Sequence, residues 1–278
     1  MQKLIIIAGA TATGKTEKAI QLARQINGEI ISADSMQVYK HLNIGTAKPT
    51  LKEQAEIEHH LIDIIDPFQS FSVHEYQQLA LEKINEIHKK NKTPILAGGT
   101  GFYINAILYK QSFHKNEDPT IREYYTTLAK NHSKEYIHSM LMALDPIAAK
   151  NIDINNTKRV VRALSFVKGT GKLFSDYTHS QEPAFDAEII LIECERSTLY
   201  ERINTRVDTM FEKGLLDEVK SLMDAGLNMS HQSMQGIGYK ETYKYLIGEA
   251  GLDETIDKIK QSTRNYAKRQ ITWFRHKI

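Results

Sequence analysis

The chain reads as an α/β protein: a P-loop doubly wound parallel sheet with an inserted all-helical subdomain and a helical C-terminal part. Three observations predict it. Apolar runs of strand length alternate with helical patterns through the N-terminal part, the signature of a parallel sheet wound by helices. The first of these runs leads into a glycine-rich loop and then a helix pattern. The strand signal then lapses over a polar, helix-patterned stretch and returns once, near Ala187, as expected when a subdomain interrupts a sheet.

Taken in order, Leu4 to Ala8 is the first strand and Glu17 to Ile26 the first helix. Between them Gly9-Ala10-Thr11-Ala12-Thr13-Gly14-Lys15-Thr16 has the spacing G-x-x-x-x-G-K-T. Such a loop wraps an anionic oxygen cluster in backbone N–H groups, and the following helix adds the positive end of its dipole. Lys15 reaches the outer phosphate and the Thr16 hydroxyl is the expected ligand of Mg²⁺. Glu29 to Ala33 is a second strand, and His60 to Ile65 a short apolar stretch. Ser72-Val73-His74-Glu75 reads as a capping box opening a helix that runs to about Lys90. Pro94 to Ala97 is a strand ending at Gly98-Gly99-Thr100-Gly101, and Ala187 to Glu193 restores a buried one. Beyond it the chain is helical, with Gly214, Gly226 and Gly248 as helix stops and a last helix from near Asp253. The division expected is a catalytic core of residues 1–112 and 186–278 around a helical insertion of residues 113–185.

Composition bounds the function. The 278 residues are 41% hydrophobic and 25% charged, which suits an ordinary soluble globular protein. No apolar run approaches the roughly 20 residues that span a bilayer, so no membrane partner is expected. Met1-Gln2-Lys3 leads directly into the first strand with no signal-peptide pattern, which predicts a cytoplasmic location. The single cysteine, Cys194, excludes an intrachain disulfide and a cysteine zinc site, and reads as a small apolar residue inside the last strand. Net charge is only +2, but it is unevenly spread. Ile154 to Ser175 has no acid and holds Lys158, Arg159, Arg162, Lys168 and Lys172; the chain after Asp257 is equally acid-free. Two basic stretches on a nearly neutral protein suit either a solvated helix face or a local anionic contact.

Ligands of such a sheet sit outside the carboxyl ends of its strands. Three strand ends are distinctive: the P-loop, Ala33-Asp34-Ser35-Met36-Gln37, and Gly98-Gly99-Thr100-Gly101, whose glycines allow close approach to a ligand. Asp34 suits a turn cap, water-mediated Mg²⁺ coordination or general base catalysis; Thr100 offers a hydroxyl. Leu61-Ile62-Asp63 is only a weak Walker-B outline, and Asp66-Pro67 reads as a turn. Arg202 and Arg206 share a helix face, either in a salt-bridge ladder with Asp208 and Glu212 or as a pyrophosphate clamp. In the last helix Lys260, Arg264, Lys268 and Arg275 form a basic stripe open to a phosphate backbone. Beside it Ile259, Tyr266, Gln270, Trp273 and Phe274 read as core packing.

The sequence strongly resembles one family, the bacterial tRNA dimethylallyltransferases, also called tRNA isopentenyltransferases. The resemblance begins at the P-loop and continues through Ile31-Ser32-Ala33-Asp34-Ser35-Met36-Gln37-Val38-Tyr39 and Asn43-Ile44-Gly45-Thr46-Ala47-Lys48-Pro49. Gly98 to Tyr103, Arg159 with Arg162-Ala163-Leu164, and Gly236-Ile237-Gly238-Tyr239-Lys240-Glu241 follow. Thr263 to Gln270 with Thr272-Trp273-Phe274-Arg275 closes it, so nearly the whole chain is covered. Members usually run somewhat further than Ile278, and Phe113 to Asp118 matches only loosely.

The resemblance implies an enzyme that transfers a dimethylallyl group from dimethylallyl diphosphate to the exocyclic N6 amine of the adenosine 3′-adjacent to the anticodon in tRNA. On that reading the P-loop, Gly9 to Thr16, holds the donor's diphosphate, with Mg²⁺ on Thr16 and Arg122 and Arg206 nearby. Asp34 is the base and Thr100 lies beside the leaving group and amine. Asp34, Ser35, Met36, Gln37, Thr100, Arg122, Lys158, Arg159, Arg162, Gln235, Gly236, Gly238, Tyr239 and Lys240 meet the tRNA, the insertion clamping the anticodon arm. The enzyme is expected to be a monomer. A P-loop small-molecule kinase, a free-adenine-nucleotide prenyltransferase and a non-catalytic RNA-binding P-loop switch are the competing readings.

Overall fold

The computed structural model describes residues 1–110, 119–176 and 182–277. It divides into two compact units, Met1–Lys110 with Glu182–Ile278, and Gln111–Gln181. The expected boundary at 112/113 and the Phe113 to Asp118 segment lie outside the described residues.

The first unit is built on five parallel strands, β1 (Lys3–Gly9), β2 (Gly28–Ala33), β3 (His59–His60), β4 (Thr93–Gly98) and β5 (Asp186–Ile192), in the order β3-β2-β4-β1-β5. Between them come α1 (Lys15–Ile26), α2 (Leu51–Glu56), α3 (Val73–Lys89) and α4 (Gly101–Leu108). The continuous apolar runs follow from burial on both faces. Leu4, Ile6, Ala8, Ile31, Ala33 and Leu96 pack into one cluster; Ile5, Ile7, Ile30 and Ile95 alternate into another with Ala19, Ile20 and Ala23 of α1. The capping box of α3 is present: Ser72 Oγ accepts from Glu75 N–H and Glu75 accepts from Ser72 N–H.

Two expectations are corrected. The His60 to Ile65 stretch contributes only the last residue of β3 before turning off the sheet; Lys48 claims Asp63 at 2.6 Å, and Asp66 accepts Phe68 N–H as a turn residue. The returning strand is not buried. β5 is a sheet edge pairing only with β1 among the described strands, so Ile189 and Leu191 stay more than a third exposed. Cys194 lies beyond its end, half-buried against the cluster that holds Ala10, Ala12, Leu199, Ile203 and Ala267.

The second unit is helical: α5 (Pro119–Asn131), α6 (Lys134–Leu144), α7 (Pro146–Asn151) and α8 (Thr157–Thr170), closed over their own core of Tyr125, Ile137, Leu141, Val160 and Leu164. Asp145 ties it locally, accepting Ala148 N–H at the start of α7 and Ser175 N–H. After β5 the first unit continues with α9 (Arg196–Glu212), α10 (Leu215–Asp224), α11 (Tyr239–Leu246) and α12 (Leu252–Lys277). Gly214, Gly226 and Gly248 adopt positive φ between these helices, as their terminator role requires.

Register fixes where the site is. Ala8 pairs with Gly98, and Gly98 pairs with Ala33. The three central strands therefore stop level, and the P-loop, Thr100 and Asp34 emerge side by side at one sheet edge, where the strand order reverses.

Candidate functional site

The P-loop has the backbone of an anion cradle. Gly14 takes φ 92°, a left-handed conformation, as N-cap of α1, and it leaves the first helical N–H groups without a side-chain cap. Lys15 turns back so that its Nζ donates to Ala10 O at 2.5 Å. Burial lowers the Lys15 pKa to about 8, against the attraction of Asp34 and helped by repulsion from Arg206. Arg206, on α9, is likewise lowered by burial and forms no ion pair among the described residues. The salt-bridge ladder is thus absent at this position: Lys260 takes Asp208 at 2.6 Å instead. Two desolvated, unmatched cations at a helix N-terminus form a site short of negative charge.

Asp34 engages the protein through one of its two oxygens. Its Oδ1 accepts from Met36 N–H at 2.8 Å and Gln37 N–H at 3.3 Å, a turn cap. Its other oxygen accepts no hydrogen bond among the described residues, and the residue lines a crevice of about 340 Å³ with Thr11, Arg206, Tyr266 and Arg269. A carboxylate anchored by one oxygen and open at the other is a positioned proton acceptor. Thr100 Oγ1 accepts Ser35 N–H at 3.1 Å, which joins the β2 and β4 strand ends.

The glycines at and after the end of β4 give clearance for packing. A Cβ on Gly98 would lie 2.2 Å from Ala33 O, one on Gly99 2.3 Å from Gln270 Nε2, and one on Gly101 2.4 Å from the Trp273 ring. They admit α12. Gln270 from that helix accepts Thr11 N–H at 2.9 Å and donates to Gly99 O at 2.8 Å, which locks the P-loop to the β4 end.

The sequence-predicted residues fall into groups. Asp34, Ser35, Met36, Thr11, Arg206, Gln235, Gly236, Tyr239 and Lys240 line the one crevice. Gly9, Ala10 and Thr13 border a separate cavity of about 610 Å³ on the side of Cys194, Lys268 and Arg275. Thr16 lines a narrow cleft of about 30 Å³ with Ser32 and Gln37. Gly238, at φ 96°, caps α11 and donates its N–H to Glu241 at 2.9 Å. Arg122 on α5, and Lys158, Arg159 and Arg162 exposed on α8, belong to the second unit.

Some side chains expected at a ligand are spent inside the protein. Tyr239 is 1% exposed, its hydroxyl donating to Glu218 at 2.6 Å. The Gln37 amide accepts from Ser32 and donates to the Thr46 and Ala47 carbonyls. Half of the α12 basic stripe is also tied down, Lys260 by Asp208 and Arg264 by Asn204.

Two residues were missed. Tyr266 is a crevice residue, not core: its hydroxyl meets the Thr100 and Gln270 side chains, and burial with the Asp34 charge pushes its pKa up to about 12. Glu218, at the start of α10, accepts from three consecutive loop amides, Asn43, Ile44 and Gly45, at 2.8–3.1 Å, as well as from Tyr239. That carboxylate fills all its acceptor positions and fixes the loop forming one crevice wall. The nearby motif N-I-G-T-A-K-P marked the loop, but a lone glutamate on a distant helix carries no sequence signal.

Among the described residues the one three-ligand cluster able to hold a metal is Glu29, Glu58 and His60. Lys90 and Lys92 already neutralise Glu29 at 2.8–3.2 Å, so that cluster is an ion-pair network at the β2–β3 edge.

Comparison with known proteins gives the family. The family profile described as IPP transferase matches residues 37–277. A tRNA dimethylallyltransferase from Bacillus pumilus (strain SAFR-032) is 47% identical over 280 residues, spanning 100% of this chain and 88% of that protein. The tRNA delta(2)-isopentenylpyrophosphate transferase structure from Staphylococcus epidermidis superposes with TM-score 0.73 at 43% identity, covering 100% of this chain and 91% of that one. The full-length tRNA isopentenylpyrophosphate transferase of Bacillus halodurans gives 0.74 at 44%, covering 100% and 88%. A eukaryotic dimethylallyltransferase acting on tRNA gives 0.84 at 32%, covering 98% and 70%. With a profile match over most of its length and a near-half-identical full-length relative, the chain belongs to the IPP transferase family.

Proposed function

We propose that the chain transfers a dimethylallyl group from dimethylallyl diphosphate to the exocyclic N6 amine of the adenosine 3′-adjacent to the anticodon of tRNA, in the cytoplasm and as a monomer. The observation that carries this reading is an open carboxylate oxygen on Asp34 in one crevice with the unmatched Arg206, both within electrostatic reach of the buried Lys15 ammonium. The printed activities of the relatives favour it over a small-molecule kinase or a prenyltransferase of free adenine nucleotides.

The chemistry requires both charges. The adenine amine is a weak nucleophile because its lone pair is delocalised into the ring, so the donor must ionise toward an allylic cation before attack. The C1–O bond breaks and its electron pair leaves with diphosphate; the N6–C1 bond forms; the amine proton passes to the free oxygen of Asp34. Lys15, Arg206 and the P-loop N–H groups from Gly9 to Thr16 stabilise the departing diphosphate, where negative charge grows. Thr100, held by Ser35 and Tyr266, orients the leaving group and amine. The target base is drawn out of its stack to reach the crevice.

Mg²⁺ fits this site as an ion carried in with the diphosphate. The P-loop end offers the Thr16 and Ser32 hydroxyls in one cleft and no carboxylate cage, and Mg²⁺ commonly binds through substrate phosphates with few protein ligands. Thr16 would hold it, and the ion would neutralise leaving-group charge.

The helical unit, proposed at residues 113–185, clamps the anticodon arm. Arg122, Lys158, Arg159 and Arg162 would meet the tRNA, the last three at its phosphate backbone. Ser35, Met36, Gln37, Gln235, Gly236, Gly238, Tyr239 and Lys240 would frame the target nucleotide, in several cases through backbone or by holding the loop. The test is Asp34→Asn. Asparagine keeps the oxygen that caps Met36 and Gln37 but cannot take a proton, so turnover should fall about 10²–10⁴-fold with RNA affinity kept. A variant with full turnover, or one that loses RNA affinity and keeps its rate, removes the base assignment.

A further inference from the structure

A second groove of about 870 Å³ lies against the reaction crevice. The two share Ala47, Arg206 and Met210 as a common wall, so one opens beside the other. Its charge is one-sided. Lys40, His41, Lys48, Arg206 and Lys213 line it against a single acid, Asp63, which Lys48 takes at 2.6 Å. Lys40, Arg206 and Lys213 have no ion pair among the described residues, so the surplus faces the groove.

Its wall is built to hold shape. Glu218 fixes Asn43, Ile44 and Gly45 through their N–H groups. Lys48 Nζ donates to Tyr39 O at 2.8 Å and Asn43 Oδ1 at 3.1 Å. The groove is also partly apolar, with Ile44, Met210 and Leu51, the last 85% exposed at the rim. A bare small anion would need the cations only. A single nucleic-acid strand needs both, cations for its phosphates and apolar surface for unstacked bases.

We propose that this groove binds the RNA strand flanking the target adenosine, with Lys40 and Lys213 on its phosphates and Leu51 against an unstacked base. The inference rests on the prenyl-transfer reading and extends it. The strand continues on either side of a base drawn into the crevice, and the groove sharing Arg206 with that crevice offers it a path.

The experiment uses the full chain with Lys40→Ala, Lys213→Ala and the double substitution, and an unmodified anticodon stem-loop RNA as probe. Binding is measured across a salt series, and KM is measured separately for RNA and for dimethylallyl diphosphate. Each lysine removed should lower the salt slope of RNA binding by about 0.7, as for a single strand. The double variant should raise the RNA KM about tenfold and leave the donor KM within about twofold. Both side chains are exposed, so folding should be intact; Leu51→Asp, which should weaken RNA and spare the donor, reads the same groove independently. An unchanged slope and RNA KM overturn the proposal, and so does a rise in donor KM alone, which would make the groove a path for the small diphosphate. Wild-type protein that binds the RNA with the expected slope but never prenylates it would sink the parent reading and leave this one standing.

Discussion

Donor binding should draw a proton onto Lys15, and the size of the effect follows from its surroundings. Burial, with repulsion from Arg206 and against the attraction of Asp34, brings the ammonium's pKa from 10.5 to about 8. In the empty protein Lys15 is therefore about half neutral at pH 8 and about nine-tenths neutral at pH 9. A diphosphate in the P-loop restores the partner that the ammonium lacks and returns the pKa toward its ordinary range. Binding should take up about half a proton at pH 8, nearly one at pH 9 and about a tenth at pH 7. The terminal phosphate ionises near pH 6, so the ligand itself contributes little in this window. Donor affinity should accordingly fall by about tenfold per unit above pH 8. The sign for stability is the reverse of an ion-paired lysine. The unfolded chain holds more protons between pH 8 and 10.5, so the empty protein gains stability as pH rises through that window. Calorimetric titration of a non-transferable thio-diphosphate analogue, in buffers of different ionisation enthalpy, measures the uptake. Lys15→Arg, which stays charged, should abolish it. Zero uptake by the wild type at pH 8–9, or proton release, would refute the argument.

Further expectations concern residues around the crevice. Glu218→Gln places an amide N–H₂ among four donors, so the loop from Asn43 to Gly45 should loosen; kcat/KM for RNA should fall about tenfold with the donor KM unchanged, and parallel losses in both would mark a purely structural residue. Tyr239→Phe removes one donor and should give a smaller loss that does not add to Glu218→Gln in the double variant. Arg159→Ala and Arg162→Ala should each reduce the salt slope of tRNA binding by about one, and an unaltered slope would return both to a solvated helix face. Gly101→Ala should lower melting temperature markedly, because its methyl would stand 2.4 Å from the Trp273 ring; a wild-type melt would mean α12 shifts freely.

The fold was legible where the sequence carried a period or a punctuation mark. β1, β2 and β4 stand out because strands buried on both faces are continuously apolar, and α3 because its capping box is explicit. α4 gave no such signal: Gly101 to Leu108 is apolar nearly all round, since it packs inside the core and shows no amphipathic stripe. β5 looked buried for a related reason, as an isoleucine run does not reveal that the sheet ends there. At the site the motif residues were readable, yet their reasons were sometimes different. The glycines of Gly98 to Gly101 read as room for a ligand, and in the structure they are also clearances for Ala33, Gln270 and Trp273. Asp34 was open between cap and base; one oxygen caps Met36 and Gln37, and the other accepts no hydrogen bond among the described residues, which leaves it to the proposed base role. Tyr266 and Glu218 were hidden because their importance lies in partners far away in sequence, Thr100 for one and Asn43 to Gly45 for the other.

The central claim is that the glycine-rich loop grips a prenyl diphosphate while Asp34 deprotonates an adenosine amine. It is tested most directly by incubating the protein with isotopically labelled dimethylallyl diphosphate and bulk unmodified tRNA, then digesting the RNA to nucleosides. The account predicts label on N6-dimethylallyladenosine from the position 3′ of the anticodon, with one diphosphate released per nucleoside formed. Unlabelled RNA alongside transfer of the ATP γ-phosphoryl group to a small-molecule hydroxyl, with release of ADP, would contradict it.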